Sequence, residues 1–110
     1  NNGRTALMLA AEHDLRECLE LLLNANASVL PTDNRGRTAL IWAADAGDAE
    51  CVRMLLEVNT DVYATDNDGC TALMLAAKKG SVECIELLLD PHTLREQRRR
   101  RHRLNDERDR

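Results

Sequence analysis

Apolar residues recur along this chain in blocks that repeat every 33 residues. The segment Thr-Ala-Leu-Met-Leu-Ala-Ala at 5–11 returns unchanged at 71–77, and the variant Thr-Ala-Leu-Ile-Trp-Ala-Ala lies between them at 38–44. A second apolar block follows each segment at a constant spacing and ends in three large aliphatic residues, at 21–23, 54–56 and 87–89. Self-similarity at a fixed period indicates a fold built from stacked copies of one structural unit.

The middle copy predicts a turn followed by a short helix. Asp33-Asn34-Arg35-Gly36 has turn composition, because Asp and Asn bond their own backbone and Gly adopts positive φ. Thr38 stands where a helix N-cap belongs, and residues 39–45 are rich in Ala, which lets neighbouring helices approach closely. Gly47 is expected to end this first helix.

A second helix follows at once in the same copy. Asp48 is its expected N-cap, the apolar pattern predicts helix over about residues 49–58, and Asn59 closes it in the left-handed conformation. Its apolar positions cover more than one face, as expected for a helix that contacts its partner and the copies on both sides. An extended stretch at 61–64 then leads into the next turn at Asp66.

Read together, these positions resemble the ankyrin repeat. The resemblance rests on Asp33-x-x-Gly36-x-Thr38-Ala39-Leu40, Ala43-Ala44-x-x-Gly47 and Met54-Leu55-Leu56, on their equivalents from Asp66 to Leu89, and on Gly3-x-Thr5-Ala6-Leu7 with Leu21-Leu22-Leu23. It implies an all-α repeat solenoid, in which stacked helix-turn-helix units are joined by β-hairpin turns. We expect repeats at about 1–32, 33–65 and 66–92, hence a repeat domain over 1–92.

The chain departs from the family pattern in ways that bear on rigidity. Met8, Ile41 and Met74 stand where the family commonly has His, so hydrogen bonds between copies are expected to be lost. Asp14 occupies the position where Gly usually ends the first helix, and it suits a left-handed conformation less well than Gly.

The residue types limit the other fold and function classes. At 110 residues the chain holds one small domain, and Trp42 and Tyr63 are its only aromatic residues, with Trp42 expected in the core. No run of 18 apolar residues exists, so no membrane span is expected. No signal peptide is recognised, and the start within a repeat at Asn1 suggests that upstream residues are missing.

The cysteines predict neither a disulfide framework nor a metal site. Cys18, Cys51 and Cys84 occupy one position in successive copies, where we expect small buried side chains in a reducing compartment. Cys70 lies in a turn and is expected to be an exposed free thiol. No Cys-x-x-Cys pair occurs and no His lies at ligand spacing, so no metal ligands are predicted.

Charge divides the chain into an acidic body and a basic tail. Residues 1–92 contain 7 Lys and Arg against 15 Asp and Glu, whereas residues 93–110 contain 8 Arg against 4 acids. The basic residues of the tail that we single out are Arg98, Arg99, Arg100, Arg101 and Arg103. Three interpretations stay open: a solvated linker, a nuclear-import or nucleic-acid contact, and a segment that folds back on an acidic stripe. That stripe is predicted on the second helices, from Glu17, Glu20, Glu50, Glu57, Glu83 and Glu86.

The resemblance implies a concave strip for partner binding, made of turn tips and the exposed side of each first helix. Carried over position by position, the strip contains Asn2, Arg4, Glu12, His13, Asn34, Arg35, Arg37, Asp45, Ala46, Asn67, Asp68, Cys70, Lys78 and Lys79. The alternative is that these are simply solvated loop tips. A cluster of Arg4, Arg35 and Arg37 would favour acidic groups on a partner.

The function expected from this sequence is that of a protein–protein interaction module, located in the cytoplasm or nucleus. No Gly-rich phosphate loop, paired-His motif or nucleophile with a neighbouring base is recognised, so neither catalysis nor a cofactor or small-molecule substrate is predicted. Two alternatives remain: a nuclear-import or nucleic-acid role of the Arg-rich tail, and repeats that regulate an attached domain of a larger protein. Because the first copy lacks the polar outer face of a terminal unit, end-to-end self-association is also considered.

Overall fold

The computed structural model describes residues 3–58 and 60–90, which contain three pairs of helices and no strand. The helices in chain order are α1 (Ala6–Glu12), α2 (Arg16–Asn24), α3 (Ala39–Ala46), α4 (Ala49–Glu57), α5 (Ala72–Lys79) and α6 (Val82–Leu88). The all-α repeat fold is therefore confirmed. In the middle copy the predicted helices at 39–45 and 49–58 differ from the observed ones by one residue each.

Each first helix begins at the predicted threonine. The hydroxyl oxygens of Thr5, Thr38 and Thr71 accept hydrogen bonds from the backbone N–H three residues later, at 3.2, 3.3 and 3.2 Å. These bonds satisfy one of the N–H groups that the first turn of a helix leaves without a partner. Identical caps give the three units the same starting geometry, which a regular stack requires.

The ends of the first helices differ between copies. Gly47 and Gly80 take the left-handed conformation, with φ of 74° and 78°, as the sequence predicts. In the first copy the equivalent residue is Asp14, which has φ of 60°. The backbone therefore follows the same path in the first copy, although Asp14 carries a Cβ atom that disfavours this conformation.

The helices form two layers. α3 packs between α1 and α5 in one layer, and α4 packs between α2 and α6 in the other. Alanines that are fully buried, such as Ala11, Ala44 and Ala76, allow the first-layer helices to approach closely. Trp42 is 4 % exposed, so the expectation that it belongs to the core is confirmed.

The prediction of three buried cysteines is wrong for the first copy. Cys51 and Cys84 are fully buried, but Cys18 is exposed. Cys84 is buried although no described copy follows it, so this position is covered by the preceding copy. Cys18 has no preceding copy among the described residues. Cys70, expected to be exposed, is half-buried, and all four thiols are free.

Among the helices in residues 3–58 and 60–90, none combines the length and the apolar character that crossing a membrane requires.

Candidate protein-interaction face

The turn of the middle copy is held rigidly by one aspartate. Oδ1 of Asp33 accepts hydrogen bonds from the backbone N–H groups of Arg35 at 2.9 Å and Arg37 at 3.0 Å. The Asp33 N–H donates to the Arg37 carbonyl at 3.0 Å, and the Gly36 N–H donates to the Asp33 carbonyl at 3.0 Å. The exposed tip at Asn34 and Arg35 is thereby fixed in position.

The turn of the third copy repeats this arrangement and is joined to the middle turn. Oδ1 of Asp66 accepts from the backbone N–H groups of Asp68 and Cys70, both at 2.9 Å. The side-chain amide of Asn67 donates to the Asn34 carbonyl at 3.0 Å. Successive tips therefore form one continuous edge of the stack.

Both turn aspartates remain ionised under ordinary conditions. Burial raises the pKa of Asp33, but the N–H groups of Arg37, Trp42 and Arg35 stabilise the carboxylate and lower its pKa overall. For Asp66, the hydrogen bond from the Cys70 N–H is the largest influence and lowers the pKa against the effect of burial. A carboxylate that accepts several N–H bonds is stabilised in its charged form.

Trp42 lies among arginines behind these tips. The guanidinium carbons of Arg4 and Arg37 lie 4.2 and 4.7 Å from the indole centroid, and that of Arg35 lies 5.9 Å away. The indole N–H donates to Oδ2 of Asp33 at 2.9 Å. The ring therefore binds the turn to α3 and provides a surface on which two guanidinium groups pack.

In the first two copies, the arginine that directly follows the turn pairs with an acid near the end of the next helix. Arg4 bonds to Glu12, and Arg37 Nη1 bonds to Asp45 Oδ2 at 3.1 Å, so the same pair occurs in both copies at a separation of eight residues. In the third copy the equivalent positions are Cys70 and Lys78, which cannot form this pair.

Arg37 also connects two copies. Its Nε donates to Asp66 Oδ2 at 3.4 Å, and its side chain is 7 % exposed. In the first copy, Arg4 Nε is buried without a partner among the described residues. The equivalent acceptor, Asp33 Oδ2, is occupied by the indole of Trp42.

Residues 7–98 match the family model for ankyrin repeats, which has three copies. The chain belongs to the ankyrin-repeat family. Ankyrin repeats are generally protein–protein interaction modules, and the family is typically non-enzymatic. No curated protein sequence matches this chain significantly.

The ankyrin fold distributes the residues of the predicted strip over three levels of exposure. The exposed members are His13, Asn34, Arg35, Asn67, Asp68, Lys78 and Lys79. The half-buried members are Arg4, Glu12, Asp45, Ala46 and Cys70. Arg37 is buried, so its assignment to an exposed strip is wrong, because Asp45, Asp66 and Trp42 surround its side chain. Asn2 and the tail arginines at 98–101 and 103 lie outside the described residues.

The expected cluster of three available arginines is therefore reduced to one. Arg4 and Arg37 are neutralised by acids of the chain itself, and Arg35 alone of the three is exposed. The sequence offered a signal for this outcome: Glu12 and Asp45 lie eight residues after Arg4 and Arg37, in equivalent positions.

The layer formed by α2, α4 and α6, which we call the outer layer of this ankyrin stack, carries the predicted acidic stripe. Five of the six stripe glutamates are exposed and Glu50 is half-buried. Arg53 interrupts the stripe, since it forms ion pairs with Glu50 and Glu57 on the same helix. Arg53 therefore partly neutralises the stripe in the middle copy, whereas α6 carries Glu83 and Glu86 without a basic residue.

A group that the sequence analysis did not find joins the first two ankyrin repeats. Ligand-type atoms of Asp14, Asp48 and Cys51 lie within 4.8 Å of one another. Arg16 Nε lies 3.3 Å from Asp48 Oδ1 and 3.4 Å from Asp14 Oδ1. A hydrogen bond shared with Asp48 raises the pKa of Asp14, and burial raises the pKa of the Cys51 thiol.

The position of Asp48 in the fold explains this group. Its Oδ1 accepts from the Glu50 N–H at 3.1 Å, so Asp48 is the predicted N-cap of α4, and that cap is confirmed. Arg16 already supplies a positive charge to both carboxylates, and Cys51 retains its proton. The group thus works as a helix cap and an ion pair between copies. In the sequence, the Asp at position 14, where the family usually has Gly, was the signal that could have indicated this group.

Proposed function

We propose that this chain is a non-enzymatic interaction module, which binds an acidic segment of another protein along the exposed turn tips and first-helix ends. The observation that carries the proposal is the fixed edge formed by the turns. The tips are held by the bonds to Asp33 and Asp66 and are joined by Asn67, so their side chains are displayed with little freedom. A preorganised surface loses less conformational entropy on docking than a mobile one.

Charge supports an acidic partner. Within the described part of the strip, the exposed side chains include Arg35, Lys78 and Lys79 against the single carboxylate Asp68. This local excess of positive charge lies on a body that is otherwise acidic, so it would orient an approaching acidic segment toward the strip. The proposed setting is the cytoplasm or nucleus, where free thiols such as Cys70 stay reduced.

A photo-crosslinking experiment tests the proposal with the full chain. A photoreactive amino acid is placed at Asn34 or Asn67 on the strip, or at Glu57 on the outer side, and the adducts formed in cells are compared. We expect specific protein adducts from the two strip positions and none of them from position 57. The double variant Arg35→Gln with Lys78→Gln should reduce their yield severalfold, because both side chains are exposed and offer charge to the partner.

The matched control is Arg53→Gln, which removes an exposed arginine from the outer layer and should leave the adducts unchanged. Equal loss with this control would contradict binding through the strip. Loss only when Arg98 to Arg101 are replaced by Gln would favour the tail instead. In that case, binding of an oligonucleotide should weaken steeply as the salt concentration rises.

A further inference from the structure

The contact between the first and second copies brings together three side chains that can bind a metal ion. Asp14 comes from the loop between α1 and α2, whereas Asp48 and Cys51 come from the start of α4. One potential ligand atom of each residue lies within 4.8 Å of those of the other two. Asp48 and Cys51 are buried inside the stack, in the middle copy, so their surroundings do not depend on either end of it.

The contact between the second and third copies follows the same backbone path without the two acids. The equivalent residues there are, in the same order, Gly47, Ser81 and Cys84. The Ser81 hydroxyl donates to the Gly47 carbonyl at 3.5 Å, and α6 packs on α4 as α4 packs on α2. Stacking of two copies therefore does not require a carboxylate at either position.

The Asp48 carboxylate has one oxygen in use and one without a partner. Oδ1 accepts a hydrogen bond from the Glu50 N–H at 3.1 Å and lies 3.3 Å from Arg16 Nε. Oδ2 is buried and has no hydrogen-bond partner among the described residues, and the whole side chain is 2 % exposed. Because a buried charged oxygen without a partner is costly, a cation beside Oδ2 would stabilise this carboxylate.

Cys51 supplies the ligand that decides which metal fits. It is the third residue of α4, where the helix N-terminus favours negative charge and hence the thiolate that binds a metal. Without an ion, burial and the neighbouring Asp48 raise the pKa of the thiol and keep it protonated. One thiolate and two carboxylate oxygens suit zinc, with water as the fourth ligand, whereas magnesium and calcium take oxygen ligands.

Arg16 balances the charge of such a site. Its Nε lies 3.3 Å from Asp48 Oδ1 and 3.4 Å from Asp14 Oδ1, which leaves Asp48 Oδ2 for the ion. Two carboxylates and one thiolate carry three negative charges, which Zn²⁺ and Arg16 together neutralise. Carboxylates that bind a metal are commonly oriented by a further polar contact of this kind.

The group opens to water through a groove beside α4. Asp14, Arg16, Asp48 and Glu50 are among the residues that line this groove, so an ion can reach the carboxylates from solvent. Oxygen and sulfur ligands of one zinc ion lie about 3–4 Å apart. Since Asp14 lines the groove, its side chain has room for the rotation that brings the three ligand atoms to that spacing.

We propose that Asp14, Asp48 and Cys51 form a zinc site that joins the first two copies. Binding of Zn²⁺ releases the thiol proton of Cys51 and leaves the N-cap bond of Asp48 Oδ1 in place. The site goes beyond binding of an acidic partner and shares no residue with the strip. Local sequence spacing does not predict it, because the three ligands meet only when two copies stack.

A cobalt titration of the full chain tests the proposal, since Co²⁺ occupies tetrahedral zinc sites and absorbs visible light. The starting protein is the reduced, metal-free double variant Cys18→Ser with Cys70→Ser, which lacks the two thiols that are not fully buried. We expect one Co²⁺ per chain with the near-ultraviolet charge-transfer band of a thiolate ligand, and Zn²⁺ should displace it. Calorimetry in two buffers of different ionisation enthalpy should detect release of about one proton per ion.

Three further variants in this background identify the ligands. Cys51→Ser should abolish the thiolate band, whereas the matched control Cys84→Ser should retain it. Asp14→Gly should weaken binding of Co²⁺ and Zn²⁺ by about tenfold or more. This variant should fold, because Gly47 takes the equivalent place in the next copy.

Three results would overturn the proposal. Absence of a thiolate band at Co²⁺ concentrations up to about 1 mM excludes Cys51 as a ligand. Equal loss of the band in Cys84→Ser and Cys51→Ser would show an adventitious thiol site. An affinity that Asp14→Gly leaves unchanged would mean that the two carboxylates act only as a helix cap and an ion pair.

Discussion

At the scale of single residues, Asp33 shows how much one turn aspartate does in this stack. Its two oxygens accept three N–H groups, two from its own turn and one from the indole of Trp42 on the following helix. The sequence predicts the turn role, because Asp in this position commonly bonds the backbone. It does not predict the bond to Trp42, since neither of the other copies has an aromatic residue in that position.

We expect Asp33→Asn to lower the free energy of unfolding by about 1.5–3 kcal/mol, the range for a hydrogen bond to a charged group. An amide can still accept from Arg35 and Arg37 through its oxygen, but its NH₂ group then faces the indole N–H, and two donors oppose each other. Urea unfolding at pH 7, followed by circular dichroism, measures the loss. Asp61→Asn is the control. The side chain of exposed Asp61 accepts a hydrogen bond from the backbone N–H of Tyr63, and the amide oxygen of Asn can accept the same bond. Equal losses in both variants would contradict the role given to Trp42.

The pH dependence of stability follows from the direction of the shift. The folded pKa of Asp33 lies below the ordinary 3.8, so its stabilisation is complete well above that pH. It is lost as pH falls below 3.8 and through the lower folded pKa, because the unfolded chain then binds the proton more readily. The urea concentration at the midpoint of unfolding should decrease as pH is lowered from 7 to 2.5, and this decrease should be smaller for Asp33→Asn than for the unaltered chain. If the midpoints of the two proteins decrease equally with pH, Asp33 does not contribute to the pH dependence of stability.

At the scale of helices, the end of α1 is the position where the local sequence conflicts with the backbone path. Asp14 has φ of 60° and lies beside Asp48, with which it shares a hydrogen bond that raises its pKa. The Asp14 backbone is therefore in an unfavourable conformation, and the nearby Asp48 charge disfavours the ionised form of the Asp14 side chain. The copies that have Gly47 and Gly80 in the same place meet neither cost.

Asp14→Gly should raise the free energy of unfolding by about 1 kcal/mol, the lower end of the cost of a left-handed residue with a Cβ atom. Asn26→Gly is the matched control. Asn26 also has positive φ, at 64°, but Asn tolerates this conformation and no carboxylate pair is involved, so a smaller gain is expected. Chemical unfolding of both variants makes the comparison. A loss of stability in Asp14→Gly would mean that the ion pair with Arg16 outweighs the strain.

At the scale of the whole molecule, stability depends on the contacts between copies. Gly36 and Gly69 have nearly the same positive φ, at 75° and 79°, but a Cβ atom would strike Asn67 at the first position and nothing described at the second. Replacing either by Ala imposes the same left-handed strain, of about 1–2 kcal/mol. The difference between the two variants therefore isolates the contact between neighbouring turns.

We expect Gly36→Ala to lower the free energy of unfolding by about 1 kcal/mol more than Gly69→Ala, because the Asn67 side chain must give up its bond to the Asn34 carbonyl. Urea unfolding of the two variants at one protein concentration measures this difference. If both variants lose the same free energy of unfolding, the neighbouring turns can separate without cost, and the edge of the stack is not rigid.

The helices could be predicted almost completely from the sequence, because their pattern occurs three times. The expected extended stretch at 61–64 is wrong, since the Tyr63 N–H donates to Asp61 Oδ1 at 2.9 Å and these residues form a turn. The threonine cap recurs in all three copies, and the left-handed end of the first helix at Gly47 recurs at Gly80. The predicted cap at Asp48 is confirmed in the middle copy only, since Leu15 and Ser81 make no side-chain cap hydrogen bond. The candidate site could be predicted only in outline. Whether Arg37 is exposed depends on acids of its own copy and of the next one, and burial of Cys18 depends on a copy before it. The residue pattern within one copy does not indicate these contacts, because they form between copies.

The equivalent cysteines of the three copies have a practical consequence. A small thiol-modifying reagent should react with Cys18 directly, whereas Cys51 and Cys84 are fully buried, and burial raises the pKa of each thiol. The two inner thiols can then be labelled only while their helices are transiently open. Their separate labelling rates would thus compare the opening of α4 with that of α6, and show from which end the solenoid begins to unravel.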